Sequence, residues 1–277
     1  MDLRATAERI RRRAIPTIPY FATDDVQIGR NVAFGAHVRF NCQTVRIGNG
    51  TTFHNDIEVN ASYFEIGNYG TIYDGCLFAG GSYRIGHNFW LGHGAIVDGS
   101  GGTTVGDNVG VGAQSQLWTH IAFGDTLQGC RFQGSKELVI GNDVWFVGHC
   151  LVSPITAGDR SVAMLGSVVV KDMEPDRTYA GSPATDQTDR FGAQFEQRGV
   201  TERVNDLNVR LDALLPDLRD RALVKVATNE SEAHLSALPN TLVLNVENRT
   251  YLDVHHPLEY RVIRELLPAA KFTPRSP

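Results

Sequence analysis

Apolar residues in this chain recur in pairs, two apart within a pair and six apart between pairs. Val26/Ile28, Val32/Phe34 and Val38/Phe40 are three such pairs, and Val45/Ile47 follows after a step of seven. The pattern returns at Tyr83/Ile85, Phe89/Leu91 and Ala95/Val97, then at Thr103/Val105, Val109/Val111, Ser115/Leu117 and Ile121/Phe123. A last block runs Leu138/Ile140, Val144/Phe146 and Cys150/Val152. Gly often follows the second member and Asn or Asp follows the Gly, as in IGNG, VGDN and IGND. A period of six matches neither a strand's two nor a helix's 3.6. It predicts a short strand whose paired residues share one side, then a corner at the glycine, then another strand. Three such faces make a triangular coil of about 18 residues, and stacked coils bury one aliphatic column.

The flanks lack this period. Leu3, Ala7, Ile10 and Ala14 form one apolar stripe of a helix over residues 2–14, whose other positions carry Arg4, Arg9 and Arg11 to Arg13. It would cap the open end of the coils, or give a peripheral contact with anionic lipid. Pro16 and Pro19 end it. Residues 1–25 are thus a lead-in, 26–184 the coils, and 185–277 a small α+β appendage. Within the appendage, Val204–Leu214, Leu218–Val224 and Leu258–Leu267 suit helices. Thr241–Val246 suits a strand, with a turn at 248–250 before Tyr251–Val254. The sequence does not choose whether this part caps the coils, binds an acceptor or holds subunits together.

Composition narrows the class. The chain has 277 residues, a net charge of −5 and 28 glycines. The charge argues against general nucleic-acid binding. No apolar run reaches the ~18 residues of a spanning helix, and the N-terminus lacks the apolar core of a secretory signal. The four cysteines (Cys42, Cys76, Cys130, Cys150) form no close pair, which suits reduced thiols in a cytoplasm.

The stretch IGNDVWFVGHCLVSP, followed by SVAMLGSVVVKDMEPDRTYAGSPA, resembles the end of the catalytic domain in the hexapeptide-repeat acyltransferases. Within that family it resembles the sugar and polysaccharide O-acetyltransferases. The resemblance implies a left-handed parallel β-helix, a homotrimer with sites between subunits, and acetyl-coenzyme A as the acyl donor. It also implies acetyl transfer to a hydroxyl of a sugar, polysaccharide or glycolipid, with no metal. In that family the catalytic His precedes an irregular segment, and His120 stands before one, residues 124–137 (GDTLQGCRFQGSKE). Acyl transfer to a hydroxyl needs a base for its proton, and histidine suits that task. Asp98 lies 22 residues earlier, roughly a coil plus a corner; it either forms the turn before Gly99-Ser100 or holds the His120 ring. Trp145 would line the carrier tunnel or pack against the next subunit. Gly166, Ser167 and Lys171 match the carrier-binding run. The family's usual Thr before the Lys is Val170 here, and the expected basic residue after the closing motif is late, at Arg190. His93 is the polar residue nearest the family's acceptor-binding Asn, which is missing.

Other jobs occur on the same scaffold. A γ-type carbonic anhydrase needs a His pair five apart for zinc; His87 and His93 are six apart and would point from successive faces. A non-catalytic scaffold or regulatory subunit would explain the missing Asn and late basic residue. An amine acceptor on a nucleotide-linked sugar is disfavoured, because only about 25 residues precede the repeat, too few for the usual nucleotide-binding domain.

Overall fold

The computed structural model describes residues 18–252 and 256–275. The expected helix over 2–14 and His255 lie outside them. The rest is a left-handed parallel β-helix with the α+β appendage docked on its side. Two faces of the prism belong to one 13-stranded sheet and the third is a nine-stranded sheet. The first two faces are continuous because the strands Arg39–Ile47 and Glu58–Ile66 bend through the corner between them without breaking. Pairing starts earlier than the repeat suggests: Tyr20–Phe21 already lies beside Arg39–Phe40. The stack closes on a hairpin of Thr178–Gly181 with Ala184–Asp186.

One turn takes 19 residues in the first coils rather than 18, as in Phe40 beside Val59 and Val59 beside Phe78. The extra residue sits in the corner that the long strands traverse. Inside, the paired positions form one column of buried side chains that includes Phe40, Phe53, Phe64, Phe78 and Tyr83. The Phe40–Phe53 and Phe64–Phe78 ring pairs meet edge to face at 5.2 Å.

The glycine that ends each "IG" pair serves by its size. A Cβ on Gly67 would fall 2.7 Å from Nδ1 of His87, and one on Gly106 would fall 2.7 Å from Oδ1 of Asn142, both in the next coil. The left-handed backbone conformation falls instead two residues later, at Asn88 (φ 57°), Asn108 (62°) and Asp143 (57°). Asn and Asp tolerate it best among non-glycine residues. Between them runs a polar ladder along this corner. The backbone N–H of Asn49 donates to Asn68 (2.8 Å), that of Asn68 to Nδ1 of His87 (2.9 Å), and that of His87 to Asp107 (2.6 Å). The Asp107 N–H then donates to Asn142 (2.8 Å) and the Asn142 N–H to Asp159 (2.7 Å). His87 is therefore a rung of the scaffold, and His93 lies at a different corner, so the two do not converge. Among the described residues no cluster of His, Cys, Asp or Glu is arranged to hold a metal.

The appendage holds a four-stranded sheet of Val224–Ala227, Leu242–Asn245, Thr250–Tyr251 and Thr273–Pro274, in that order. Helices Val200–Leu214, Glu230–Ser236 and Pro257–Leu266 pack with it. Val224 begins a strand; the expected helix stops at Ala222. Val224–Val226, with β-branched Val224 and Val226 on either side of Lys225, pairs with Leu242–Leu244 in parallel, a tertiary partner that local pattern cannot reveal. Docking is along the ladder corner. Tyr69 joins the appendage core with Leu207, Leu211 and Tyr251. Arg264 bonds Thr71 (3.1 Å) and Thr52 (3.2 Å), Asn88 bonds the Phe272 carbonyl (3.0 Å), and Arg249 pairs with the buried Asp143 at 2.8 Å.

As a ladder rung, His87 must be neutral at Nδ1 to accept. Burial lowers its pKa from 6.5, with Asp107 partly opposing. The unfolded chain therefore binds the proton more readily, and stability falls as pH drops below about 6.5. His87→Asn, which places the side chain found at Asn68 and Asn142 into the ladder, is expected to lose less melting temperature than wild type between pH 7.5 and 5.5. Equal losses in both proteins would remove His87 as a source of the pH dependence.

Candidate active site at the hairpin corner

The site is built where the coil period fails. The coil after Leu117 spans 35 residues before Val152 stacks on it. The excess leaves the prism as a hairpin in which His120–Ala122 pairs antiparallel with Gln133–Ser135. The arm thus starts at His120, four residues before the irregular stretch read from the period. Its return strand passes close over Gly101, where a Cβ would fall 2.5 Å from the Lys136 carbonyl. The Lys136 N–H bonds the Thr119 carbonyl at 2.9 Å, closing the arm's base.

Asp98 lies beneath this base and is fully buried. One carboxylate oxygen accepts from Oγ (2.7 Å) and N–H (3.2 Å) of Ser100. The other accepts from the Thr119 N–H at 2.9 Å, the Thr119 hydroxyl, and Nδ1 of His120 at 2.8 Å. The two sequence readings of Asp98 are both present: it shapes the turn and it holds the ring. Burial by itself would raise its pKa. The bonds from Thr119, His120 and Ser100 outweigh that and hold the carboxyl at about 2. An ionised carboxylate only accepts, so Nδ1 of His120 carries the proton. In the neutral ring the lone pair is then on Nε2. The His120 side chain is 37% exposed while Asp98 is 0% exposed, and among the described residues Nδ1 is bonded and Nε2 has no hydrogen-bond partner. The Trp118 ring stands 6.3 Å away, edge-on.

The remaining candidates are spread over the prism. Lys171 is exposed, on the same edge as His120 and two coils further on, about 10 Å by the ~4.8 Å spacing of neighbouring strands. Gly166 is exposed at another corner, in the left-handed conformation (φ 73°). The Ser167 side chain is buried and bonds the Met164 carbonyl at 2.6 Å, and its backbone carbonyl accepts from Leu151. Ser115, equally buried, holds the equivalent place two coils earlier. Trp145 lies on the nine-stranded sheet between Gly110 and Val162, with its indole over Gly110. Arg190 lies on the short helix Thr188–Phe191, over the Phe191 ring. His93 is at the same corner as Gly166, with its ring 4.7 Å from Tyr73 and Nδ1 3.5 Å from Asp74. A single chain thus unites His120 and Asp98 and leaves Trp145, His93 and Arg190 elsewhere. Sequence reasoning missed Thr119 and Ser100, because polar residues beside a turn carry no signal until the buried carboxylate is placed.

No protein-family model matches the chain. The galactoside O-acetyltransferase of Escherichia coli K12 is 32% identical over 108 residues, 38% of this chain and 52% of that one. A probable macrolide acetyltransferase of Lysinibacillus sphaericus is 37% identical over 67 residues, 24% of this chain and 36% of that one. The chain resembles the hexapeptide-repeat acyltransferases in sequence. It spans about half or less of the curated relatives it matches. Among solved structures, a mutant of the N-acyltransferase AntD from Bacillus cereus superposes with a TM-score of 0.46 at 17% identity, over 69% of this chain and 92% of that one.

Replacing Asp98 by Asn turns an acceptor into a donor that faces donors. The variant is expected to lose roughly 1–3 kcal/mol of stability, the cost of buried groups left unpaired, and to release the ring from a single tautomer. Nitrogen-15 spectra of labelled histidine check this. A His120 signal that keeps the Nδ1–H pattern in Asp98→Asn would show that something else orients the ring.

Proposed function

We propose that this protein moves an acetyl group from acetyl-coenzyme A to a hydroxyl of a carbohydrate. The observation that carries the reading is the His120 ring, fixed by a buried carboxylate at Nδ1 and open at Nε2. Nε2 would take the acceptor's proton as its oxygen attacks the thioester carbonyl carbon. Backbone N–H groups near the arm would meet the oxyanion of the tetrahedral intermediate. Collapse then expels the coenzyme A thiolate, which the His120 imidazolium protonates, so the ring ends as it began. The neutral ring on an ionised Asp98 is the form this needs. The acetyltransferase relatives, the galactoside enzyme among them, support the donor and the sugar acceptor.

The carrier is anionic, and Lys171 on the edge of His120 suits one of its phosphates. Association into a trimer is part of the proposal. The arm carries Phe123, Leu127 and Phe132, exposed by 100%, 94% and 74% in a single chain, and a neighbouring copy would cover them. Trp145 and His93, absent from the His120 corner of their own chain, would then reach a site from the neighbour. A cytoplasmic location fits the four cysteines, all unpaired thiols. No helix among the described residues is long and apolar enough to cross a membrane.

His120→Ala is expected to lower turnover about 10²–10⁴-fold, the usual worth of a general base. The KM for acetyl-coenzyme A should change by only a few-fold, because the proton moves in the transition state. Thiol release measured against a panel of sugars and oligosaccharides tests it. Turnover that survives in His120→Ala but vanishes in His93→Ala or His149→Ala would move the base to another corner. A separate outcome concerns assembly. Phe123→Ser with Leu127→Ser should shift a trimer toward monomer in light scattering while the circular dichroism of the coils stays unchanged. A wild-type monomer at micromolar concentration would remove the shared site.

A further inference from the structure

A second concavity lies far from the hairpin corner, where the appendage meets the ladder corner. It is a cleft of about 600 Å³. Its size lies within the range of small-molecule sites. One wall is a face of the helix Val200–Leu214, which presents Arg203, Leu207 and Arg210 at i, i+4 and i+7. The segment around Lys271 and Phe272 forms another, and Asp143 with Arg249 the floor.

The charges in this cleft do not cancel. Asp143 is taken by Arg249 and Asp206 by Arg198, and Glu196 is the one further acid in the lining. Among the described residues, Arg203, Arg210 and Lys271 have no carboxylate partner. Arg203 donates one Nη to the Val246 carbonyl at 3.0 Å, but its Nε is buried with no acceptor. A buried charged donor without a partner is costly and rare in a native fold. Burial pushes the Lys271 pKa down; Asp143 opposes this and Arg249 adds to it, so the ammonium lacks a counter-charge of its own. Beside these cations stand the half-exposed ring of Phe195 and the apolar side of Leu207. Guanidinium groups beside an apolar wall suit a phosphate attached to a flat ring.

We infer that this cleft binds a phosphorylated ligand of nucleoside-diphosphate size, with phosphate oxygens on Arg203, Arg210 and Lys271 and the base against Phe195. Two sources share that chemistry: the nucleotide end of an acyl carrier and a nucleotide-linked sugar. The cleft is separate from His120, and the inference does not depend on the acyl-transfer reading.

Isothermal titration of the full chain with ADP, UDP, adenosine 3′,5′-bisphosphate and inorganic phosphate tests it. At least one nucleotide should bind, and more tightly than inorganic phosphate. The affinity should fall about tenfold or more in Arg210→Gln with Lys271→Gln, as expected for lost charge-assisted bonds. Preference for the bisphosphate would identify the carrier, and preference for UDP the sugar nucleotide; either supports the cleft. His120→Ala should leave the titration unchanged, so that loss of turnover with intact binding separates this inference from the catalytic one. No nucleotide binding at about 5 mM, where even an mM site would be half filled or more, overturns it. Binding indifferent to the double variant, or inorganic phosphate binding as tightly as the nucleotides, overturns it too. Arg210→Gln alone, at an exposed position, guards against misfolding of the double variant and should weaken binding in the same direction.

Discussion

Everything in this molecule hangs on how closely one coil can lie on the next. Parallel coils bond through their backbones, and that brings each corner within van der Waals range of its neighbour. At the ladder corner the contact admits no Cβ on Gly67 or Gly106. It is relieved by a side chain from the following coil, Asn68, His87 or Asp107, which accepts the N–H that the turn would otherwise leave unpaired. Glycine, a polar acceptor and a left-handed Asn or Asp thus recur together for one reason. With the corners fixed, the paired apolar positions fall in register and the column fills.

A stack so regular has little room for a site inside it, and the candidate site appears where the stack is interrupted. The 35-residue coil throws out an arm, and the cost of its departure is a set of backbone and hydroxyl donors at its root. Asp98 answers them. Satisfying Thr119 and Ser100 keeps the carboxylate ionised in a buried place, and an ionised carboxylate sets the tautomer of the adjoining ring. The turn and the fixed orientation of the His120 ring are therefore one hydrogen-bond network. The same arm leaves apolar side chains in solvent, so the device that orients His120 also supplies a reason to associate.

The appendage uses the ladder corner differently. Tyr69, Asn88 and Asp143 occupy the left-handed position in three of the four coils that run from Tyr69 to Asp143, where the side chain points outward. There they become docking points for Tyr251, the Phe272 carbonyl and Arg249. The cleft beside them collects cations because the helix Val200–Leu214 turns a basic face toward a corner whose acid is already paired.

What the chain determined by itself is the coil. A step of six with Gly and Asn at the corners has no other economical solution, and it shows in sequence because each contact joins residues at a constant spacing. The interruption was legible for the same reason, and with it His120 as a candidate, but the arm begins before residue 124: Ile121 and Phe123 keep the step of six while lying outside the column. Asp98 was legible only as one of two options, since a 22-residue separation brings it to the ring only once the bend of the arm is known. Ser167 read as a ligand from its place in the closing run, yet the turn of its own coil faces it inward. Tertiary structure alone decided that Val224 pairs as a strand, that Trp145 and His93 stand on other faces than His120, and that the appendage lies along one corner. Those outcomes depend on contacts between segments at irregular separations, and no local period records them.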